Sequence, residues 1–272
     1  MRLCVCLFRR STTANGQMIF FIFHLRKKEM TSSTSTYSFW LVPAVGTPAR
    51  NRAQRLIDTL ALKHGAPKFV PHVTLAGGFR SAHPNSSTSS STSTPSSSSS
   101  SFSDATLAAR ALAESHPAFS RPLKVTLQSV SCGSTYHRCV YALAEVSEEL
   151  RAAAAAAGEA ALGVEAAAVK PAPPSAASAS SFKPDETCMP HLSLLYSSDE
   201  KAKEEGLAEA GAAFAEAFRE EEGVGKEKAK VKDETETETE TCWLSSEIEV
   251  WMTEGDVGDW RCEARVPFGG KK

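Results

Sequence analysis

The sequence lacks the features that mark several large classes of protein. The apolar segment Met18–Phe23 is far shorter than the ~20 residues that a membrane-spanning helix needs. The seven cysteines are an odd number, have no regular spacing and include no Cys-x-x-Cys pair. Neither a membrane protein nor a disulfide scaffold is therefore indicated, and the cysteine usage favours a reducing compartment. Cys132 and Cys139 flank a predicted turn, where we expect two reduced thiols.

A large excess of one charge is also absent. The chain has 30 Lys and Arg against 32 Asp and Glu, with a pI near 6.4. This balance argues against a protein that grips long nucleic acid through its phosphates. A small anionic ligand needs only local positive charge, so the balance leaves such a ligand open. We expect a monomer whose partner is a small molecule.

The first 36 residues are interpreted as a disordered or presequence-like extension. Residues 1–29 carry several basic residues against the single acid Glu29: Arg2, Arg9, Arg10, Arg26, Lys27 and Lys28. That composition resembles an organelle targeting peptide. The alternative is upstream sequence that is not translated, with Met30 as the start. A cytoplasmic location is expected, with organelle targeting as the alternative.

Three low-complexity segments interrupt one domain that we place at residues 37–268. The segment 81–103 is mostly Ser and Thr, 169–183 is rich in Pro, Ala and Ser, and 221–241 is charged. Such sequences bury too little apolar surface to offset the entropy of ordering, so we interpret them as insertions.

Hydrophobic periodicity between these segments predicts a mixture of helices and strands. Helices are predicted from Pro48 to Gly65 and over 104–115, 147–168 and 199–220. Strands are predicted over 37–42, 69–77, 123–128, 138–146, 188–196, 247–252 and 260–266. Several of the strands are joined by short turns, which favours an α+β fold with antiparallel sheets.

One short pattern occurs twice in the chain. Residues 70–76 read VPHVTLA and residues 189–195 read MPHLSLL. Among the seven histidines, only His72 and His191 are followed two positions later by a hydroxyl residue, Thr74 and Ser193. Residues i and i+2 of a strand share a face, so each copy presents an imidazole and a hydroxyl together. A lone His-x-Thr is common, but the repeat with its shared Pro and Leu indicates function.

Two imidazoles and two hydroxyls suit the hydrolysis of a cyclic phosphate. One neutral imidazole can take a proton from water while the other, protonated, gives one to the departing oxygen. An unperturbed pKa of ~6.5 fits histidine to both tasks. The hydroxyls can donate to phosphate oxygens in the transition state. Neither a metal nor a cofactor is required, and no further ligands stand at zinc-like spacing.

The same residues resemble the signature of the two-histidine (2H) phosphoesterases, a pair of His-Φ-[Ser/Thr]-Φ motifs. The plant and fungal cyclic phosphodiesterases are the branch that the chain resembles most. The stretches that carry the resemblance are Tyr37–Trp40, Phe69–Leu75, Gly133–Val140 and Met189–Tyr196. The resemblance implies a bilobal α+β fold, with two antiparallel sheets related by pseudo-twofold symmetry around a central cleft and helices outside.

The resemblance also implies substrates and residue roles. The substrates are ADP-ribose 1″,2″-cyclic phosphate, a by-product of tRNA splicing, and nucleoside 2′,3′-cyclic phosphates, which are opened to the 1″-phosphate and to 2′-phosphates. His72 and His191 become the acid and base, with His191 favoured as the base, although their order depends on how the substrate lies. Thr74 and Ser193 become phosphate ligands.

Two further residues match family positions near the site. Trp40 is a candidate for packing against a base or ribose, and a core aromatic is the equal alternative. Tyr196 is a candidate for positioning water or phosphate. Strict alternation would turn Tyr196 away from His191, so its role requires the strand to bend or end there.

Two other functions compete with cyclic nucleotide hydrolysis. The first is RNA-end processing, which other 2H branches perform, although the predicted domain has no basic stripe. The second is a nucleotide-binding module without catalysis. Binding alone does not need two titrating imidazoles, which disfavours this second alternative.

Overall fold

The computed structural model describes residues 8–12, 18–22, 34–82, 103–168, 189–225 and 241–269. The chain divides into two units, residues 1–33 and residues 34–272. In the first unit, strand β1 (Phe8–Thr12) pairs antiparallel with β2 (Met18–Ile22). The rest of the predicted N-terminal extension up to residue 33 lies outside the described residues.

The larger unit contains eight strands and four helices among its described residues. The strands are β3 (Thr34–Leu41), β4 (Val73–Ala82), β5 (Leu123–Cys132), β6 (Val140–Ala144), β7 (His191–Leu195), β8 (Cys242–Ser245), β9 (Glu247–Met252) and β10 (Arg261–Pro267). The helices are α1 (Pro48–His64), α2 (Asp104–Ser115), α3 (Glu148–Ala168) and α4 (Glu200–Gly225). None of these helices is both long enough and apolar enough to cross a membrane.

Local sequence sets the ends of the first helix. The Thr47 hydroxyl accepts a hydrogen bond from the Arg50 amide, and Pro48 occupies the first turn, where no donor is needed. Gly65 ends the helix in a left-handed conformation with φ 62°, which glycine adopts without steric cost. The helix therefore begins and ends where the sequence predicts.

The strands form one antiparallel sheet in the order β10-β9-β3-β4-β7-β6-β5-β8. It consists of two four-stranded halves, β10-β9-β3-β4 and β7-β6-β5-β8, and each half has a motif strand at its inner edge. The halves are joined by a single residue pair, Val73 opposite Leu192. The predicted α+β fold with antiparallel pairing is confirmed, and the two predicted sheets are the two halves of one continuous sheet.

The apolar side chains of the two motif strands are buried on one face of the sheet, and the side chains at the alternate positions lie on the opposite face. Val73 and Leu192 are 0 % exposed, and Leu75 is also buried in the core. Full burial of a side chain of this size stabilises the fold by ~1.5–3 kcal/mol. Helix α3 packs against β4 and helix α1 against β7. These contacts hold the two strands side by side.

Several boundaries differ from those predicted for the insertions. Strand β3 begins at Thr34, before the predicted start of the domain. Residues 81 and 82 belong to β4, residues 221–225 continue α4, and Thr241 is buried. Ser103 caps α2, so the predicted first insertion is also shorter at that end. The segment 169–183 lies outside the described residues.

The two ends of the first insertion lie close together. The amide of Ala105 donates a hydrogen bond to the Ser81 hydroxyl over 3.3 Å. The Thr106 hydroxyl donates to the Glu263 carboxylate over 2.8 Å, and the Ser103 hydroxyl also bonds to that carboxylate. These bonds connect the ends of β4 and the start of α2 to β10.

Candidate active site

The two motif histidines are held in the same way. The Nδ1–H of His72 donates to the backbone oxygen of Val70 over 2.6 Å, and the Nδ1–H of His191 donates to that of Met189 over 2.8 Å. A carbonyl oxygen can only accept, so both neutral rings carry their proton on Nδ1. Both Nε2 atoms are therefore left as acceptors for a substrate or water.

All six predicted site residues line one cleft of about 410 Å³, a size common for small-molecule sites. They come from both halves of the sheet: Trp40, His72, Thr74, His191, Ser193 and Tyr196. The two imidazoles are close enough for positive charge on His191 to lower the pKa of His72. The fold thus brings together two motifs that are far apart in the sequence.

The two motif hydroxyls differ in their surroundings. The Thr74 side chain is exposed, whereas Ser193 is buried. The Ser193 hydroxyl donates to the backbone oxygen of His137 over 3.0 Å. Ser193 therefore connects the motif strand to the turn Tyr136–Arg138, which lies between β5 and β6.

Trp40 is a buried neighbour of His72. Its ring stacks on the His72 imidazole with centroids 3.5 Å apart and planes 9° apart, and on Trp251 at 4.5 Å. Only 2 % of Trp40 is exposed. This burial favours the core alternative, because little of the ring remains for a base or ribose.

Comparison with known proteins identifies the family. The model of the cyclic phosphodiesterase-like protein family matches residues 35–268. The chain belongs to this family. The resemblance to the 2H phosphoesterases that the paired motifs indicate is thereby confirmed, and phosphoesterase activity is supported at this general level.

Solved structures of LigT from E. coli are similar to the chain at low identity. The apo form matches with a TM-score of 0.40 and 12 % identity, over 87 % of this chain and 99 % of that one. The complex with 3′-AMP matches with a TM-score of 0.42, with the same identity and coverage. No curated protein sequence matches.

Tyr196 reaches the cleft of this family member because the strand alternation is interrupted. Val140 pairs with Leu195 and Tyr141 with Ser193, a register shift that places one extra residue in β7. The strand then ends at Leu195, so Tyr196 lies on the cleft side. Its ring stacks on Phe69 at 4.0 Å, and burial raises the pKa of its phenol. The condition set for Tyr196 from the sequence is therefore met.

Burial lowers the pKa of both motif histidines. The pKa of His72 falls to about 3, chiefly because its ring is removed from water, and the charges of His191 and Arg50 lower it further. The pKa of His191 is also lowered, first by burial and then by the positive charge of Arg138. Both rings are thus mainly neutral in the free protein near pH 7. The acid role favoured for His72 requires a bound anion to raise its pKa.

Sequence reasoning missed eight residues that line the cleft: Thr36, Ser38, Gly77, Gly78, His137, Arg138, Thr253 and Trp260. The alternation of β3 could have indicated Thr36 and Ser38, which share a face with Trp40. His137 lies in the turn Tyr136–Arg138. Arg138 and Trp260 were predicted as the first residues of strands, but Arg138 ends that turn and Trp260 lies just before β10, so alternation could not show where their side chains lie. Within the described residues, no group of three His, Cys, Asp or Glu lies close enough to hold a metal ion.

Proposed function

We propose that the protein hydrolyses cyclic phosphates of nucleotides with a pair of histidines and without a metal. The observation that carries the proposal is the shared arrangement of His72 and His191. Both rings donate Nδ1–H to a carbonyl of their own chain segment and keep Nε2 free in one cleft. The membership in the cyclic phosphodiesterase-like family supports the same chemistry.

In the proposed step, a water oxygen attacks the phosphorus of the cyclic diester. One neutral Nε2 takes the proton of the water, and the bond between phosphorus and one ribose oxygen breaks. The other imidazole, protonated, gives its proton to that oxygen. One water is consumed, and the products are a phosphomonoester and a free hydroxyl. The histidine that acted as the base ends protonated, and the histidine that acted as the acid ends neutral. Proton transfer of this kind contributes ~10²–10⁴-fold to the rate.

The two motif hydroxyls would donate to the non-bridging oxygens as negative charge develops on them. Thr74 is exposed and can do so directly. Ser193 would exchange its present acceptor, the His137 carbonyl, for a phosphate oxygen. Formation of the Ser193–phosphate bond would therefore release the turn Tyr136–Arg138 from the strand.

The charge of the substrate completes the proposed mechanism. A cyclic phosphate is a monoanion, and its proximity favours the charged form of an imidazole. Binding would therefore raise the pKa of His72 and His191, so that the pair takes up from solvent the one proton that it needs. The proposed substrates are ADP-ribose 1″,2″-cyclic phosphate and nucleoside 2′,3′-cyclic phosphates.

The proposal is tested by turnover of both substrate types in the presence of EDTA. His72→Ala and His191→Ala should each lower kcat by ~10²–10⁴-fold, because each removes one proton-transfer group. His116→Ala is the matched control, since His116 lies at the end of α2 and outside the cleft. His116→Ala should leave kcat within about twofold of the wild-type value. This change is well below the ~10²-fold loss expected when a proton-transfer group is removed.

The same assay separates the competing functions. Wild-type activity equal to that of both motif variants would contradict the two-histidine mechanism, and loss of activity with EDTA would contradict its independence of metal. Turnover confined to oligonucleotides that end in a cyclic phosphate would favour RNA-end processing. Nucleotide binding without any turnover would favour a binding module.

A further inference from the structure

Arg138 is a fixed positive charge in the cleft. It ends the turn Tyr136–Arg138 and lines the cleft together with His72 and His191. Among the described residues that line the cleft, it is the sole Lys or Arg, and none is Asp or Glu. Arginine supplies a permanent positive charge, whereas both histidines are mainly neutral in the free protein.

The Arg138 side chain is available for a ligand. It is exposed, and none of the ion pairs found among the described residues involves it. Its backbone is fixed, since its amide donates to the Thr135 oxygen over 2.9 Å and the Gly133 amide donates to the Cys139 oxygen over 3.3 Å. A cation on an ordered turn therefore lies at the cleft without an acidic partner in the described part of the chain.

We propose that Arg138 binds the phosphate group of the substrate and, more strongly, that of the product. This inference rests on the proposed function. The substrate phosphate is a monoanion and the opened phosphomonoester a dianion near neutral pH, so the attraction to a single fixed cation is greater for the product. A guanidinium can also donate two parallel hydrogen bonds to one phosphate.

The position of Arg138 beside the Ser193 contact gives this role a structural basis. Ser193 holds the turn through the carbonyl of His137, the residue that precedes Arg138. In the free protein the Ser193 hydroxyl thus lies next to the turn that carries Arg138, so a phosphate that displaces the His137 carbonyl from this hydroxyl arrives beside that turn. The turn thus provides the permanent charge, and the strand provides the hydroxyl.

The test measures the binding of inorganic phosphate and of adenosine 2′-phosphate by calorimetry. Arg138→Gln should weaken both by about tenfold or more, the range expected for a hydrogen bond to a charged group. Arg138→Lys keeps the positive charge but lacks the planar guanidinium. Its phosphate affinities should therefore lie between those of the wild type and those of Arg138→Gln. Arg151→Gln is the matched control, because Arg151 is exposed on α3 and loses the same charge outside the cleft.

A second readout follows the protonation of His191 by NMR. Arg138, His72 and the ring of Tyr141 are the groups found near this imidazole. Removal of the Arg138 charge should raise the pKa of His191, while Arg151→Gln should leave it unchanged. Phosphate affinities of Arg138→Gln equal to those of the wild type would overturn the inference.

These measurements need no turnover, so they separate the two proposals. The wild type could fail to hydrolyse any cyclic phosphate while Arg138→Gln still binds phosphate more weakly. That result would contradict the proposed function and support the phosphate-binding role of Arg138. Full hydrolysis by the wild type with unchanged phosphate binding by Arg138→Gln would support the proposed function and contradict the role of Arg138.

Discussion

At the scale of single residues, the His72 imidazole is held both at its edge and on its face. The Val70 carbonyl fixes the edge, and the Trp40 ring covers the face at 3.5 Å. Trp40 is itself held by Trp251, whose indole Nε1–H donates to the buried Glu249 carboxylate over 2.7 Å. A side chain held in this way loses little freedom when a ligand binds, which suits the catalytic role proposed for His72.

The lowered histidine pKa values predict an acidic optimum. The pH dependence of kcat/KM reports the free protein, in which the pKa values of His72 and His191 lie below the ordinary 6.5. The singly protonated pair is then most populated below pH 6.5, so the bell-shaped kcat/KM profile should centre there. The kcat profile should lie at higher pH, because the bound phosphate raises both pKa values.

Initial rates with a nucleoside 2′,3′-cyclic phosphate across the pH range check this prediction. A kcat/KM profile centred on alkaline pH would contradict it. The kcat/KM profile of Arg138→Gln tests the same reasoning. Its alkaline limb should move to higher pH, because the substitution removes the charge that lowers the pKa of His191.

At the scale of elements, the turn between β5 and β6 depends on a glycine. A Cβ at Gly133 would lie 2.7 Å from the backbone oxygen of Arg138, closer than real Cβ atoms approach. Gly133→Ala should therefore displace the turn that carries His137 and Arg138. We expect a loss of about 1–3 kcal/mol in the free energy of unfolding and a lower kcat/KM, measured by denaturant unfolding and initial rates.

Gly163→Ala is the matched control for this substitution. Gly163 lies within α3, and an added Cβ would meet nothing within 4 Å. Alanine there should stabilise the protein by roughly 0.5–1 kcal/mol, because glycine loses more freedom in a helix. The prediction for the turn would be refuted if Gly133→Ala matched Gly163→Ala in both stability and kcat/KM.

At the scale of the whole molecule, the residues that line the cleft come from both halves of the sheet. The described residues on either side of the Ser-rich segment 83–102 lie close together. Ser81 and Ala105 are hydrogen bonded across the segment 83–102. Replacing residues 84–101 by a short Gly/Ser linker should keep kcat/KM and change the melting temperature little, because each halving of loop length contributes only ~0.6 kcal/mol. Thermal unfolding and initial rates measure both.

Ser103→Ala provides the contrast to this deletion. Ser103 caps α2 and bonds to Glu263, so its loss should cost about 0.5–2 kcal/mol. A shortened protein less stable than Ser103→Ala would show that residues 84–101 contribute to the fold.

The sequence by itself determined the local features of this protein. Alternation and helical periodicity are read over a few residues, so the main helices, the motif strands and the buried backs of those strands followed from them. The two copies of the motif predicted His72, Thr74, His191 and Ser193 as site residues, because each pair needs only extended backbone to share a face. The pairing of two distant motifs in one site was a hypothesis that rested on their similarity.

The tertiary structure decided what depends on residues far apart in the chain. The burial that lowers the pKa of His72, the stacking of Trp40 on that ring and the bond from Ser193 to the His137 carbonyl arise only when strands pack together. Arg138 was predicted to begin a strand, but the structure places it at the end of the turn before β6, so its position in the cleft came only from the tertiary structure. Each His-x-Ser/Thr pair is a local feature of the sequence. The charge states of the histidines and the contacts of all four side chains depend on the folded cleft.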